Sequence, residues 1–434
     1  MIDSAALAAL DGRVLGPEHK SFPPAAWGKT VREYLSAGPT LDWLSTPLLT
    51  VDRAALQSNV ALMASWARSA GIQLAPHGKT TMAPQLWALQ FDAGAWGITL
   101  ATPWQVQLAR SFGVGRILLA NPMVDPVALA WLAGELRADP SFDFFSWADS
   151  VRTAELMDRA LGSSQLERPV NVIVEIGGPG GRSGARSSET ALAVAMAIHR
   201  SPRLALAGIG GYEGALSHDR ESAGLSAVRR FVDRIGRLHQ RIAADGLYGT
   251  DAIVTAGGSA FHDIVVDQLA GLAGERNGLR TTVLVRPGAY AIHDDGLYAG
   301  ISPLAPARAE HPLRSAMHGW ARTLSRPEPE LALLDAGKRD LPFDVGLPVP
   351  QRIMGANPGA FGADLARASV TALNTQHAFL RLPGSTADAV PVGTVVRLGL
   401  SDPCTAFDKW RLIPVVDDAN AANPRIVELL HTFF

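Results

Sequence analysis

Short apolar runs alternate with amphipathic stretches from about residue 46 to about residue 290 of this chain. The runs with strand character are LLTVD (48–52), IQLAPH (72–77), WGITLAT (96–102), RILLAN (116–121), FDFFSWAD (142–149), VNVIVEIGG (170–178), LALAGIGGYEG (204–214), DAIVTAGG (251–258) and TTVLVRPGAYA (281–291). Between them, stretches such as RAALQSNVALMASWARSAG and SAVRRFVDRIGRLHQRIAADG repeat their apolar positions at helical spacing. Repeated β-then-α units call for parallel strands joined by crossover helices. About eight such units in roughly 245 residues match the size of a (β/α)8 barrel. No GxGxxG follows the first strand, which argues against an open, doubly wound sheet. After residue 300 the helical spacing thins, and runs such as HAFLRL, GTVVRLGL, KWRLIPVV and RIVELLHTFF are separated by Pro, Gly and Asp turns. The predicted class is α/β: a TIM-like (β/α)8 barrel over 46–298 and a second, mostly antiparallel β domain over 299–434. Residues 1–45, which carry no strong period, are expected to pack on that second domain.

Composition narrows the function. With 434 residues, 47% of them hydrophobic, the chain can bury a full core. A formal net charge of -2 gives no reason to expect nucleic acid or an anionic membrane surface as a partner. One cysteine, Cys404, rules out an internal disulfide and makes a reducing cytoplasm the expected compartment. The first twenty residues lack a basic stretch followed by an apolar one, so they do not read as a signal peptide. No apolar run approaches the length of a membrane span.

The chemistry gathers where strands end. In LAPHGKTTMAP, Lys79 follows a strand and leads into a helix, at the mouth where parallel α/β folds collect catalytic groups. A lysine desolvated there has a lowered pKa and can form a Schiff base with an aldehyde cofactor, although most such lysines are solvated surface charges. VEIGGPGGRSG (174–184) offers a glycine-rich turn from which Arg182 can reach an acceptor atom or a phosphate. VTAGGSAFHD (254–263) ends a strand with Gly257, Gly258 and Ser259 ahead of a helix, an arrangement suited either to an anion or to a plain N-cap. GYEG places Tyr212 at another strand end, where tyrosine more often packs than reacts.

Taken in order, TPLLTVDRAALQSNV, PHGKT, EIGGPGGRSG, GYEG, TAGGS, VRPGAY and SDPCTAFDKW resemble the family of D-serine dehydratases and D-threonine aldolases. These are pyridoxal-phosphate enzymes with an alanine-racemase-like barrel and a β domain, and the resemblance spans roughly residues 46–410. It implies that Lys79 is the Schiff-base lysine, that Arg182 faces the pyridine nitrogen, and that Gly257, Gly258 and Ser259 cup the phosphate. Tyr212 and the segment from Arg286 to Tyr290 match the family in position. His77, two residues before Lys79, shares its face if the strand continues, and either lines the pocket or is a satisfied polar group. The family also carries a His-x-Cys or His-x-Asp pair that binds a divalent metal near the C-terminus. Here Asp402 and Cys404 stand at those positions, a departure at the first of them. Zinc or manganese is the expected ion, with His377 as a candidate third donor.

The implied reaction is dehydration of a small D-configured β-hydroxy amino acid of the D-serine or D-threonine type. Lys79 takes the α-proton, the metal polarises the β-hydroxyl, and the products are a 2-oxo acid and ammonia. Retro-aldol cleavage to glycine and an aldehyde is the near alternative, amino-acid racemisation a further one, and a cofactor carrier without turnover the non-enzymatic one. A homodimer is the expected assembly.

Overall fold

The computed structural model describes residues 2–164, 166–355, 365, 367–384 and 390–434. Eight parallel strands form one sheet: β2 (Gln73–Leu74), β3 (Ile98–Leu100), β4 (Arg116–Pro122), β5 (Asp143–Ala148), β6 (Val170–Ile176), β7 (Leu204–Gly211), β8 (Asp251–Thr255) and β10 (Leu279–Val285). Each pairs with the next around the ring, and β10 pairs back onto β2. The His77–Thr99 bridge beyond β2 joins it to β3 and closes the barrel. A short β9 (Gly274–Arg276) runs antiparallel along β10.

These strands are apolar on both sides because one face meets the surrounding helices and the other fills the barrel. Ala75, Leu118, Trp147, Ile173, Ile253 and Leu284 form that inner plug. Trp147 is its bulkiest member, and β7 accommodates it with glycine. A Cβ on Gly210 would lie 2.9 Å from the Trp147 ring and 2.3 Å from the Thr255 carbonyl oxygen. Outside, helices start where strands end, and four of them begin on a short polar cap. Thr102 with Pro103, Asp125 with Pro126, Ser150 and Ser187 all accept backbone N–H groups of a first helical turn.

One strand departs from the sequence expectation. The run LLTVD, read above as the opening of the barrel, is β1 (Leu48–Asp52) and belongs to the other sheet. It lies antiparallel to β11 (Met317–Glu328) and parallel to β17 (Leu412–Val416). The physical reason is that an apolar run specifies burial on both faces but not which neighbours provide it. The barrel reaches eight strands without it, starting from β2, and the helix Arg53–Ser69 precedes the first barrel strand. The rest of this second sheet is mostly antiparallel: β12 (Leu331–Leu334), β13 (Val349–Ile353), β14 (Ser369–Leu373), β15 (Ala378–Arg381), β16 (Val395–Gly399) and β18 (Ile426–His431). Asp52, at the end of β1, ties the two parts together. One carboxylate oxygen caps the helix through Ala55 N–H at 2.7 Å, and the other accepts Ala419 N–H at 2.8 Å. Among the described residues, no helix is long and apolar enough to cross a membrane.

Leu49 is fully buried in β1 between two strands of the second sheet. Leu49→Ala is expected to cost about 2–5 kcal/mol of stability, read from the urea midpoint, because the cavity it leaves has rigid walls.

Candidate active site

A cavity of about 280 Å³ opens at the C-terminal ends of the barrel strands. All eight barrel strands contribute to its wall, Ala101 among them from beyond β3. Asn121 comes from β4, Trp147 from β5, Glu175 and the Arg182 loop from β6, Tyr212 from beyond β7, and Gly257 to Ser259 from beyond β8. Arg286, Gly288 and Ala289 follow β10. His77 and Lys79 enter from the turn after β2, and Asp402 and Cys404 reach over from the segment that follows β16.

Of the ten site residues expected from sequence, nine line this one cavity and Tyr290 does not. Tyr290 is buried in the main core, its hydroxyl meeting Gln90, and is not brought to the cavity wall with the others. The turn after β10 presents Arg286, Gly288 and Ala289 to the cavity and rotates the next side chain inward. His377 lies on the exposed turn between β14 and β15 and is absent from the cavity wall.

Lys79 sits in the short turn Gly78–Thr80, packed down because Gly78 leaves no room for a side chain. A Cβ there would lie 2.4 Å from Ile98 and 2.9 Å from the Trp87 indole. Burial holds the Lys79 amine below the usual lysine range. Cys404 pushes it back up, Arg182 lowers it again, and Asp402 raises it. His77 is held neutral, well below the ordinary imidazole value, by burial and by the charges of Lys79 and Arg286. Its Nδ1 has no hydrogen-bond partner. Burial pushes the Cys404 thiol up to about 12, with the Asp402 carboxylate adding to the rise, and the thiol approaches Thr80 Oγ1 at 3.6 Å.

Two arginines occupy the cavity in different ways. Arg182 is exposed at the rim, its guanidinium 4.9 Å from the Tyr212 ring centroid. Arg286 is buried in the floor, 5.1 Å over the Trp147 ring, donating to the Gly211 carbonyl at 2.8 Å and to Thr255 Oγ1. Burial lowers it to about 10, against the pull of Glu213 and Glu175. Beside it, Glu175 is buried with Oε2 unpartnered. Burial pushes this carboxyl up to about 7, while a 3.0 Å hydrogen bond from Ser183 pulls the other way. Sequence reasoning did not single out Trp147, Glu175, Tyr298 or Thr80. For Glu175 a signal was present: one carboxylate in the otherwise apolar run VNVIVEI.

The glycine turn differs from its expected use. The N–H groups of Gly257 and Gly258 do not face the cavity as an anion cup; they donate to the Glu213 carboxylate at 2.9 and 2.8 Å. What the turn offers on the cavity side is Ser259, whose hydroxyl accepts Ala289 N–H at 3.1 Å. Opposite it, Gly288 is a cradle that a Cβ would fill, at 2.4 Å from Thr80 Oγ1 and 3.0 Å from His77. A lysine held below its usual pKa, a hydroxyl beside backbone N–H groups at a helix start, and a flat slot between Trp147, Tyr212 and Arg286 fit a pyridoxal phosphate. The pair Asp402 and Cys404 fits a metal poorly. Asp402 Oδ1 is engaged by Cys404 N–H at 3.0 Å, and among the described residues no three His, Cys, Asp or Glu side chains gather into a metal-holding group. Catalytic zinc sites draw on three protein donors, so this set is incomplete by itself.

Glu175 yields a testable pH effect. Its folded-state pKa lies above the ordinary carboxylate value, so the folded chain holds this proton more tightly than the unfolded one. The stability it contributes is full below the usual carboxylate range and is lost as pH rises through about 7. Glu175→Gln is expected to flatten that decline in urea midpoints measured from about pH 4 to pH 8.

Comparison with known proteins agrees with this geometry. A family profile described as a putative serine dehydratase domain matches residues 316–416. A D-threonine aldolase of an Arthrobacter sp. is 27% identical over 88% of this chain and 91% of its own length. A D-threo-3-hydroxyaspartate dehydratase of Delftia sp. (strain HT23) is 34% identical over 36% of this chain and 40% of its own. The solved D-threonine aldolase from Filomicrobium marinum superposes with a TM-score of 0.74 at 22% identity, covering 91% of this chain and 96% of that one. Barrel and second sheet are thus shared in fold with the solved D-threonine aldolase, and along its sequence the chain is similar to D-threonine aldolases and D-hydroxy-amino-acid dehydratases.

Proposed function

We propose that the chain is a pyridoxal-phosphate-dependent lyase of D-configured β-hydroxy amino acids, and that it expels the β-hydroxyl as water to leave a 2-oxo acid and ammonia. The observation that carries this reading is the convergence of Lys79, Arg286 and Ser259 from three barrel strands on one cavity, closed from above by Asp402 and Cys404 of the second sheet. Lys79 would hold the cofactor's aldehyde, and Ser259 with the backbone at Gly288 and Ala289 its phosphate. When bound, the cofactor supplies an electron sink for the pair left on the α-carbon.

The remaining steps belong to the chain. Lys79, held below the usual lysine range, is the base for the α-proton and the acid that returns it to the departing hydroxyl. His77, neutral beside it, adds no competing positive charge. Arg286 fixes a positive charge in the cavity floor, and the Trp147 ring beneath it excludes water from that side. The Cys404 thiol stays protonated near neutral pH and presents a neutral polar group near Thr80 and Lys79. No step is assigned to a metal, because aspartate replaces the expected histidine in the pair and, among the described residues, no third donor joins it.

A second reading is favoured by one specific comparison: the aldolase relative matches across 88% of this chain, the dehydratase relative across 36%. In retro-aldol cleavage the Asp402 carboxylate would take the hydroxyl proton, the Cα–Cβ bond would break, and glycine and an aldehyde would leave. Product analysis with D-serine and D-threonine, with the L-isomers as controls, separates the two. A 2-oxo acid with ammonia from the D-isomers supports dehydration. Glycine with acetaldehyde from D-threonine transfers the assignment to aldol cleavage, and inversion at the α-carbon alone overturns both.

Two variants sharpen the reading. Lys79→Ala is expected to abolish both the visible chromophore and turnover, whereas a carrier protein would show only the first loss. For the metal, elemental analysis of the purified chain is expected to find well under one equivalent of zinc or manganese, with Asp402→His raising retention by about tenfold or more. A full equivalent in the wild type, lost together with activity on chelation, would reinstate the metal.

A further inference from the structure

The Glu213 carboxylate is completely buried, yet it is not part of the cavity wall that Gly257, Gly258 and Ser259 help to form. Both its oxygens are engaged, one by Gly257 N–H at 2.9 Å and the other by Gly258 N–H at 2.8 Å. The carboxylate therefore grips the turn from behind, on the side away from the ligand. It also faces the Arg286 guanidinium, which balances the charge it buries. Two successive backbone N–H groups closing on one anion make the kind of nest that elsewhere binds phosphate. In this chain the nest is filled by an internal carboxylate.

We infer that Glu213 is a positioning residue that fixes the Gly257–Ser259 turn in its anion-binding shape before any ligand arrives, and that the phosphate monoester is held by the opposite side of the turn, by Ser259 and the backbone facing it. The inference rests on the cofactor reading above, and it assigns a role to the glutamate of GYEG that neither the cavity wall nor the reaction calls for. Gly258 suits the same geometry. A Cβ on it would sit 3.0 Å from the Tyr212 ring and 3.8 Å from Glu213 Oε1, so a larger residue crowds the turn against the element that clamps it. An arrangement fixed in advance lets the phosphate bind without first ordering the loop.

The test separates phosphate recognition from folding. The full chain, stripped of aldehyde and reloaded, is titrated with pyridoxal phosphate and with pyridoxal, which lacks the phosphate. Glu213→Gln keeps the size of the side chain but aims an amide donor at a backbone donor. The variant is expected to bind pyridoxal phosphate about tenfold or more weakly, with pyridoxal nearly unchanged. Equal weakening of both, or of neither, would overturn the inference. A second measurement needs no variant. In wild-type chain titrated with inorganic phosphate, the amide signal of Ser259 is expected to shift while those of Gly257 and Gly258 stay in place, protected from exchange throughout. Gly257 and Gly258 signals that move as far as that of Ser259 would mean the phosphate displaces Glu213, against the inference. If the wild type binds neither aldehyde, the cofactor reading falls, and the phosphate titration alone decides the role of Glu213.

Discussion

The site leans on one buried carboxylate that links the loop after the last barrel strand to the segment beyond β16. Asp294 follows β10 and is almost wholly enclosed. One of its oxygens accepts the N–H groups of Gly296, Tyr298 and Ala299 at 3.1, 2.8 and 3.1 Å. The other accepts the N–H of Asp402 at 3.1 Å, from the far sheet. Burial pushes its pKa up to about 6 although four N–H groups favour the ionised form, which shows how deeply the group is enclosed. This tie acts together with the Asp295 N–H to Leu400 carbonyl bond at 2.9 Å and the Ser401 hydroxyl to Gly346 carbonyl bond at 2.9 Å to place the segment carrying Asp402 and Cys404 over the barrel mouth. The local backbone needs that support, since Asp402 adopts φ +55, in the left-handed region where a non-glycine residue is uncommon.

Charge is organised in layers below that lid. Arg286 is the permanent cation of the floor, stacked on Trp147 and flanked by Glu213 and Glu175. These two carboxylates differ in circumstance. Glu213 is satisfied twice by backbone donors and stays behind the turn, whereas Glu175 keeps one oxygen unpartnered on the cavity wall. A low-dielectric pocket makes each unpaired group costly, so an unpartnered oxygen marks a place where a ligand atom, water or proton completes the arrangement.

The proposed reaction turns on what happens at the β-carbon, and the segment SDPC brings two polar side chains to the cavity from the part of the chain that follows β16. A carboxylate and a protonated thiol stand on the wall that also carries Lys79. Their chemistry differs in kind: a carboxylate can accept the hydroxyl proton, while a protonated thiol offers a neutral surface. In the function proposed above, the choice between carbon–carbon cleavage and loss of water is assigned to the groups around Asp402 and Lys79.

Much of this was legible in the residues. Alternation of apolar runs with helical spacing predicts the barrel, because a strand buried on two faces and a helix buried on one leave different periods in the chain. Lys79, Arg182, Tyr212 and Ser259 were legible because each lies in the loop that follows a barrel strand, at the end where the cavity opens. Sheet membership was not. LLTVD is as apolar as any barrel strand, and only the pairing of Leu48 to Val51 with Trp320 to Met317 places it in the second sheet. The direction of Tyr290 and the capture of the Gly257 and Gly258 N–H groups by Glu213 were equally invisible, since both depend on contacts between segments far apart in the chain. By itself, then, the sequence determined which segments become strands and helices and which residue types stand at their ends, because those properties are set by neighbours along the chain. Only the tertiary structure decided which strands share a sheet, which N–H groups remain for a ligand and which arginine is buried, because each of these is settled by competition among distant groups for the same few partners.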